Sequence, residues 1–283
     1  IGHMNDKTAN ADYLNSGHSA WLNFGKLILN NQNSPTGLIP TALGGSPISE
    51  WAEDKPLFQN TVRLAKLSKA KNLIWYQGCS DVFGDMPEYY EQRLYKLISA
   101  FKRLLGDINI YIVQIGGTTN ITNPDSGWRK IREIQRKVAC RTNAYLIPTY
   151  DLIGFSDDIH LGSKDNIKLS ERVYKVYLNK TAPVDIGCEK TVNGYELKFN
   201  GVSGIDNKTA KNIVALDCNN DTVKSIIATD KNKVQISADN VNDIKYITLP
   251  FGRLYDNSPL YDDSGNLIPY FCIDVKSICH KAL

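Results

Sequence analysis

Apolar residues recur along this chain with two different periods, and the period changes near Pro183. From His18 to Asn30, the residues Trp21, Phe24, Leu27 and Ile28 fall on one helical face. Pro56 to Leu67, Tyr89 to Leu105 and Trp128 to Cys140 repeat that spacing, and Gly106 stops the second of them. Ser163 to Leu178 predicts a last helix, with Ser163 as its N-cap. Between these stretches lie short apolar runs at Gly37–Leu43, Asn72–Tyr76, Ile108–Ile115 and Ala144–Pro148. Strands alternating with helices predict a parallel sheet covered on both faces. Four such strands are visible, whereas a sheet of this kind usually has about five, the first of them central.

Past Pro183 the pattern shortens. Glu189–Asn200, Asn212–Asp217, Val223–Thr229, Lys233–Ala238 and Ile244–Leu249 are β-prone runs divided by Asn, Asp and Gly clusters. They predict a small antiparallel β domain. All four tryptophans precede Pro183. Basic residues outnumber acidic ones before it, and the reverse holds after it. The expected division is an α/β domain over 1–182 and a β domain over 183–283, which suits a length of 283 residues.

Composition then narrows the function classes. A net charge of +3 is too balanced to argue for nucleic acid or for an anionic membrane. No apolar run reaches the length of a bilayer span, and the start is polar rather than signal-like. Ile1-Gly-His-Met4 resembles a cloning remnant, which sets His3 aside. Six cysteines give neither a disulfide framework nor a zinc-ligand spacing, so no metal or cofactor is expected.

Chemistry in such a sheet gathers beyond the carboxyl ends of the strands. Of the four histidines only His160 is well placed there, in Ser156-Asp-Asp-Ile-His160. Asp157 lies three residues earlier, close enough to hold the imidazole in one tautomer and leave its other nitrogen as a base. A solvated acidic loop ending in a helix cap has the same spacing. Gly44-Gly45 suits backbone-amide contact with an anion, or an ordinary tight turn. Gln77, before Gly78, offers a side-chain amide at a strand end. Cys79 is either a nucleophile or a small packing residue. Ser19, Ser46 and Ser80 are further hydroxyls, each with a capping or site-wall alternative.

Taken in order, these segments resemble the SGNH-hydrolase superfamily, and within it the carbohydrate O-acetylesterases of the sialate O-acetylesterase type. The resemblance rests on Gly37-Leu-Ile-Pro40, Gly44-Gly-Ser-Pro-Ile-Ser-Glu-Trp51, Trp75-Tyr-Gln-Gly-Cys-Ser-Asp81, Ile131-Arg-Glu-Ile-Gln135 and Asp157-Asp-Ile-His-Leu161. Arg253-Leu-Tyr-Asp-Asn257 and Pro269-Tyr-Phe271 resemble the family's closing β module.

It implies a flavodoxin-like α/β fold and hydrolysis of acetyl esters on sugars by a Ser-His-Asp triad. Asp157 and His160 would be its acid and base, and the Gly45 amide and Gln77 side chain its oxyanion donors. The substrate implied is an O-acetylated carbohydrate, which suggests a secreted or periplasmic setting. The family's opening Gly-Gln-Ser-Asn-Met block, which carries the nucleophile, has no counterpart here, and Cys79 stands where the family has Glu. An upstream segment or a second chain is therefore expected to supply the serine. Two alternatives stand beside this: a catalytically incomplete carbohydrate-binding or structural fragment, and a hydrolase that uses Cys79.

Overall fold

The computed structural model describes residues 19–250 and 258–278. Its first part runs α1 (Ala20–Gln32), α2 (Pro56–Ser68), β1 (Asn72–Trp75), α3 (Met86–Leu105), β2 (Asn109–Val113), α4 (Asp125–Thr142), β3 (Tyr145–Ile147) and α5 (Ser163–Asn179). The strands pair in parallel in the order β1-β2-β3, with Trp75 opposite Ile112 and Val113 opposite Ile147.

Alternation along β2 sets the layering. Ile110 and Ile112 point into one core with Phe58, Tyr90, Leu94, Phe101, Trp128 and Ile131, from α2, α3 and α4. Tyr111 and Val113 point the other way, against Phe24, Ile28, Leu169 and Val173 from α1 and α5. A strand with apolar residues on both faces is what a doubly covered sheet demands. Gly127 lets α4 approach the short turn at Val82 before α3, because a Cβ there would lie 1.9 Å from the Val82 carbonyl oxygen.

Four expectations need correction, the first being Val223–Thr229, which breaks at Lys224 into the end of one strand, Thr222–Val223, and most of another, Ser225–Asp230, in a different sheet. Gly37–Leu43 is not a strand, so among the described residues the parallel sheet has three strands rather than four. Leu38 and Ile39 are substantially exposed, and among the described residues no neighbouring strand supplies the hydrogen bonds that an extended apolar run needs. The N-cap of α5 is Gly162, with Ser163 one position inside the helix. Glu189–Asn200 is not one run but two strands of a hairpin, turning at Val192-Asn193. Gly194 opens the second strand where a Cβ would lie 1.8 Å from the Ile236 carbonyl oxygen.

The second part holds β4 (Asp185–Thr191), β5 (Gly194–Asn200), β6 (Val214–Leu216), β7 (Thr222–Val223), β8 (Ser225–Asp230), β9 (Lys233–Ala238), β10 (Tyr246–Thr248) and β11 (Cys272–Asp274). They form two antiparallel sheets, β4-β5-β9-β8 and β11-β10-β6-β7. Leu197, Phe199, Val234 and Ile236 of one face Ala215, Ile247 and Phe271 beside the other in a shared core. Tyr150, from the loop after β3, enters that core, and its hydroxyl donates to Ile268 O at 3.0 Å.

Gln114, fully buried just beyond β2, locks the two parts together. Its amide donates to Tyr270 O at 2.9 Å and to Arg132 O at 3.0 Å, while its oxygen accepts from Tyr270 N at 2.9 Å.

Candidate active site

Three loops gather beyond the carboxyl ends of the parallel strands, and hydrogen bonds tie each to the next. After β3 the chain forms a small antiparallel bridge between Phe155 and Leu161, closed by Ser156 N to His160 O at 2.8 Å. Asp157 occupies the turn inside it. Its Oδ1 accepts from the backbone amides of Ile159 and His160 at 2.8 and 2.7 Å. Its Oδ2 lies 2.7 Å from His160 Nδ1. If Nδ1 donates here, Nε2 is the bare nitrogen of the neutral ring.

Both side chains are more than half exposed. The amides of His160 and Ile159, then the imidazole, bring the Asp157 carboxyl down to about 2. The charge on Asp157 therefore persists to low pH. The loop order it confers is complete above the ordinary carboxylate pKa of about 3.9 and is lost as pH falls from there through about 2. A carboxyl-carbon NMR titration of Asp157 should show that low midpoint, and the His160→Ala variant should retain most of the shift because backbone amides cause the larger part.

The loop after β2 braces this turn. Thr118 Oγ1 donates to Asp158 O at 2.7 Å, and Thr119 N donates to the same oxygen at 2.9 Å. Thr118 is fully buried. The base of that loop is held from α4: Ile115 N donates to Gln135 Oε1 at 2.9 Å, and Arg132 Nε donates to Ile115 O at 2.9 Å.

Gln135 then reaches the third loop, donating to Gln77 O at 2.9 Å. The Gln77 amide donates to Ser46 O at 3.1 Å and to Asp81 Oδ2 at 2.6 Å, and its oxygen accepts from the Tyr90 hydroxyl at 3.1 Å. Both amide hydrogens are thus engaged in this state. Gly44 and Gly45 form an exposed turn, in which Gly45 has φ of 70°, a conformation that favours glycine. A Cβ on Gly45 would meet nothing within 4 Å, so the face of this turn is open.

The remaining sequence candidates separate on their surroundings. Ser19 caps α1, accepting from Trp21 N. Ser46 is buried, donates to Leu43 O at 2.7 Å and accepts from Trp51 Nε1 at 2.9 Å. Ser80 lies in the one-turn 3-10 segment Cys79–Asp81. Cys79 packs against the core, and burial pushes its thiol up to about 12. A thiol in that state is a poor nucleophile at neutral pH. Native protein should therefore leave Cys79 unalkylated by iodoacetamide at pH 7.5, and Cys79→Ala should keep at least half of any ester hydrolysis. His18 and Arg253-Leu-Tyr-Asp-Asn257 lie outside the described residues.

Asp81, Thr118, Arg132 and Gln135 are site residues to which sequence reasoning gave no role. Three of them sit inside quoted motifs, but nothing in their spacing shows that they are buried.

The chain is 27% identical over 166 residues to a probable carbohydrate esterase of Arabidopsis thaliana, an alignment covering 56% of this chain and 62% of the relative. The crystal structure of a carbohydrate acetylesterase from Xanthomonas citri shares its fold with a TM-score of 0.73 at 18% identity. That match covers 90% of this chain and 65% of the bacterial one, so it takes in the β part as well as the α/β part. The chain thus spans somewhat under two thirds of either relative's length. The profile described as carbohydrate esterase, sialic acid-specific acetylesterase matches residues 4–179, more than half of the chain, and the protein belongs to that family.

Proposed function

We propose that this protein is a carbohydrate O-acetylesterase that releases acetate from sugar acetyl esters. The observation that carries the proposal is the 2.7 Å contact between Asp157 Oδ2 and His160 Nδ1 in a chain of this family. Held by Asp157, His160 would take the proton of a serine hydroxyl as that oxygen attacks the acetyl carbonyl, then return it to the departing sugar oxygen. Water repeats the sequence on the acetyl-enzyme and frees acetate. The negative charge on the carbonyl oxygen at each tetrahedral stage would fall to the Gly45 amide and the Gln77 side chain. Gln77 would serve by giving up its longer donation, that to Ser46 O.

None of Ser19, Ser46 and Ser80 has surroundings that favour it as the nucleophile. The proposal assigns that role to a serine from an upstream segment or a second chain. It further takes 1–182 as the catalytic α/β unit and 183–283 as a β module that buttresses it through Gln114 and Tyr150.

The test is acetate release from an O-acetylated sugar and from a chromogenic acetate ester. It is run on the chain alone and with an added segment ending in a Gly-x-Ser turn. Release in the second case but not the first supports an incomplete site completed from outside. Release by neither sinks the esterase reading for this chain and leaves the carbohydrate-binding alternative, which sugar titration would then detect.

A further inference from the structure

Asp81 is fully buried, yet the chemistry proposed above gives it nothing to do. Its Oδ2 accepts from Gln77 Nε2 at 2.6 Å and from Ile48 N at 2.9 Å. These donors belong to different loops. Gln77 follows β1, whereas Ile48 opens the 3-10 turn Ile48–Trp51 that comes directly after Gly44-Gly-Ser-Pro47. A second tie joins the same loops, from Gln77 Nε2 to Ser46 O.

We infer that Asp81 is the positioning residue that fixes the two oxyanion donors, the Gly45 amide and the Gln77 side chain, relative to each other. This rests on the esterase reading for what the donors do, but not for the hydrogen bonds themselves. One carboxylate oxygen sets both positions. Its hydrogen bond to Gln77 holds one amide hydrogen and orients the other, which donates to Ser46 O in this state and would turn to an oxyanion, and its bond to Ile48 anchors the loop that presents Gly45.

The surroundings of Asp81 argue against a packing role. A buried carboxyl is costly, and an apolar residue of similar volume would fill the space with less desolvation. Desolvation raises its pKa, and its Oδ1 is buried without a hydrogen-bond partner. A buried polar atom left unsatisfied is uncommon and calls for a reason. Here Oδ2 alone makes both contacts, so what the carboxylate contributes is the pair of ties that this single oxygen holds.

The chemistry predicts a contrast between two substitutions. Asp81→Asn can keep one oxygen facing both donors. Asp81→Leu keeps the volume and removes the acceptor.

Two measurements on the intact chain test this. In the first, native-state hydrogen exchange follows the Ile48 amide, and 15N spectra follow the Gln77 side-chain amide. Asp81→Leu should raise Ile48 exchange about tenfold or more over the change in global stability and shift the Gln77 resonances. Asp81→Asn should hold both near the parent. Unchanged Ile48 protection and Gln77 resonances in Asp81→Leu would overturn the inference whatever the activity. Where Asp81→Leu does not fold, Asp81→Ala takes its place.

The second measurement uses a preparation that releases acetate. There Asp81→Leu should lower kcat on the order of 10²-fold, the scale of losing one oxyanion donor, with KM within about twofold. Asp81→Asn should recover most of that loss. A kcat within about twofold of the parent, alongside disrupted exchange, would also overturn the positioning role. If no preparation hydrolyses an acetyl ester, the esterase reading fails by itself, and the exchange data still decide whether Asp81 ties the two loops.

Discussion

Replacing His160 by alanine in any preparation that releases acetate should lower kcat/KM by about three powers of ten or more, with no loss of stability. The stability half follows from exposure. The side chain of His160 is 68% exposed and its imidazole pairs with Asp157, so truncation empties no core. The loop keeps its shape, because Asp157 Oδ1 still accepts from the amides of Ile159 and His160, and Thr118 and Thr119 still hold Asp158 O. The rate half follows from chemistry. A serine hydroxyl is a weak nucleophile without a base to take its proton, and His160 is the one imidazole in that loop. Asp157→Asn should cost less than His160→Ala on the same substrate, since it leaves the base present but less well oriented. Equal stability with unchanged kcat/KM for His160→Ala would remove His160 from the mechanism. A matching fall in Tm would instead show that the histidine holds the loop.

The layered sheet was legible because its strands carry apolar residues on both faces. In Asn109-Ile-Tyr-Ile-Val113 both sets of alternating residues are buried, against different helices, and a continuous apolar run of that length is the mark of a central parallel strand. Gly37–Leu43 has the same local character and is not a strand. Local pattern records a preference, whereas a strand exists only where a neighbour completes its ladder. The β hairpin was lost for a related reason: β4 and β5 are both β-prone, and only the Val192-Asn193 turn divides them.

The candidate site divides along similar lines. Asp157 and His160 could be paired from spacing, since three residues is contact range on a turn. The scaffold beneath them could not. Residues Ile131 to Arg136 of α4 are buried without a break, the polar ones included. A periodicity argument assigns Arg132, Glu133 and Arg136 to solvent, and places Gln135 on the apolar face four residues from Ile131. In fact α4 lies between the parallel sheet and the β part, so no face of this stretch is wet. Polar residues survive there because backbone groups of β2's loop and of the β part need partners. That need is a property of the assembled layers and has no local signature.

Glu133→Leu tests that view most severely and should destabilise the protein by about 3–5 kcal/mol, the usual cost of stripping one partner from a buried ion pair. Glu133 and Arg136 sit one helical turn apart on α4, and their side chains are only 6% and 4% exposed. The pair is bidentate, with Arg136 Nε to Glu133 Oε2 at 2.9 Å and Nη2 to Oε1 at 2.7 Å. Removing the carboxylate leaves a guanidinium in the interior, with Asp185 Oδ1 at 3.8 Å as its remaining acidic neighbour. The other charge near Glu133 is Lys137, at 3.6 Å and partly exposed, and it too loses its acidic neighbour. Glu133 Oε2 also accepts from Cys272 N at 3.3 Å, so the same substitution frees a backbone amide of β11 where the β part meets α4. Denaturant unfolding should therefore show a lower midpoint for Glu133→Leu, and exchange at Cys272 should rise with it. The double variant Glu133→Leu with Arg136→Met should recover much of the loss, because two apolar side chains leave no buried charge behind. Recovery in the double variant separates a charge penalty from a packing defect: a defect of shape would grow with the second substitution, and a stranded guanidinium would vanish with it.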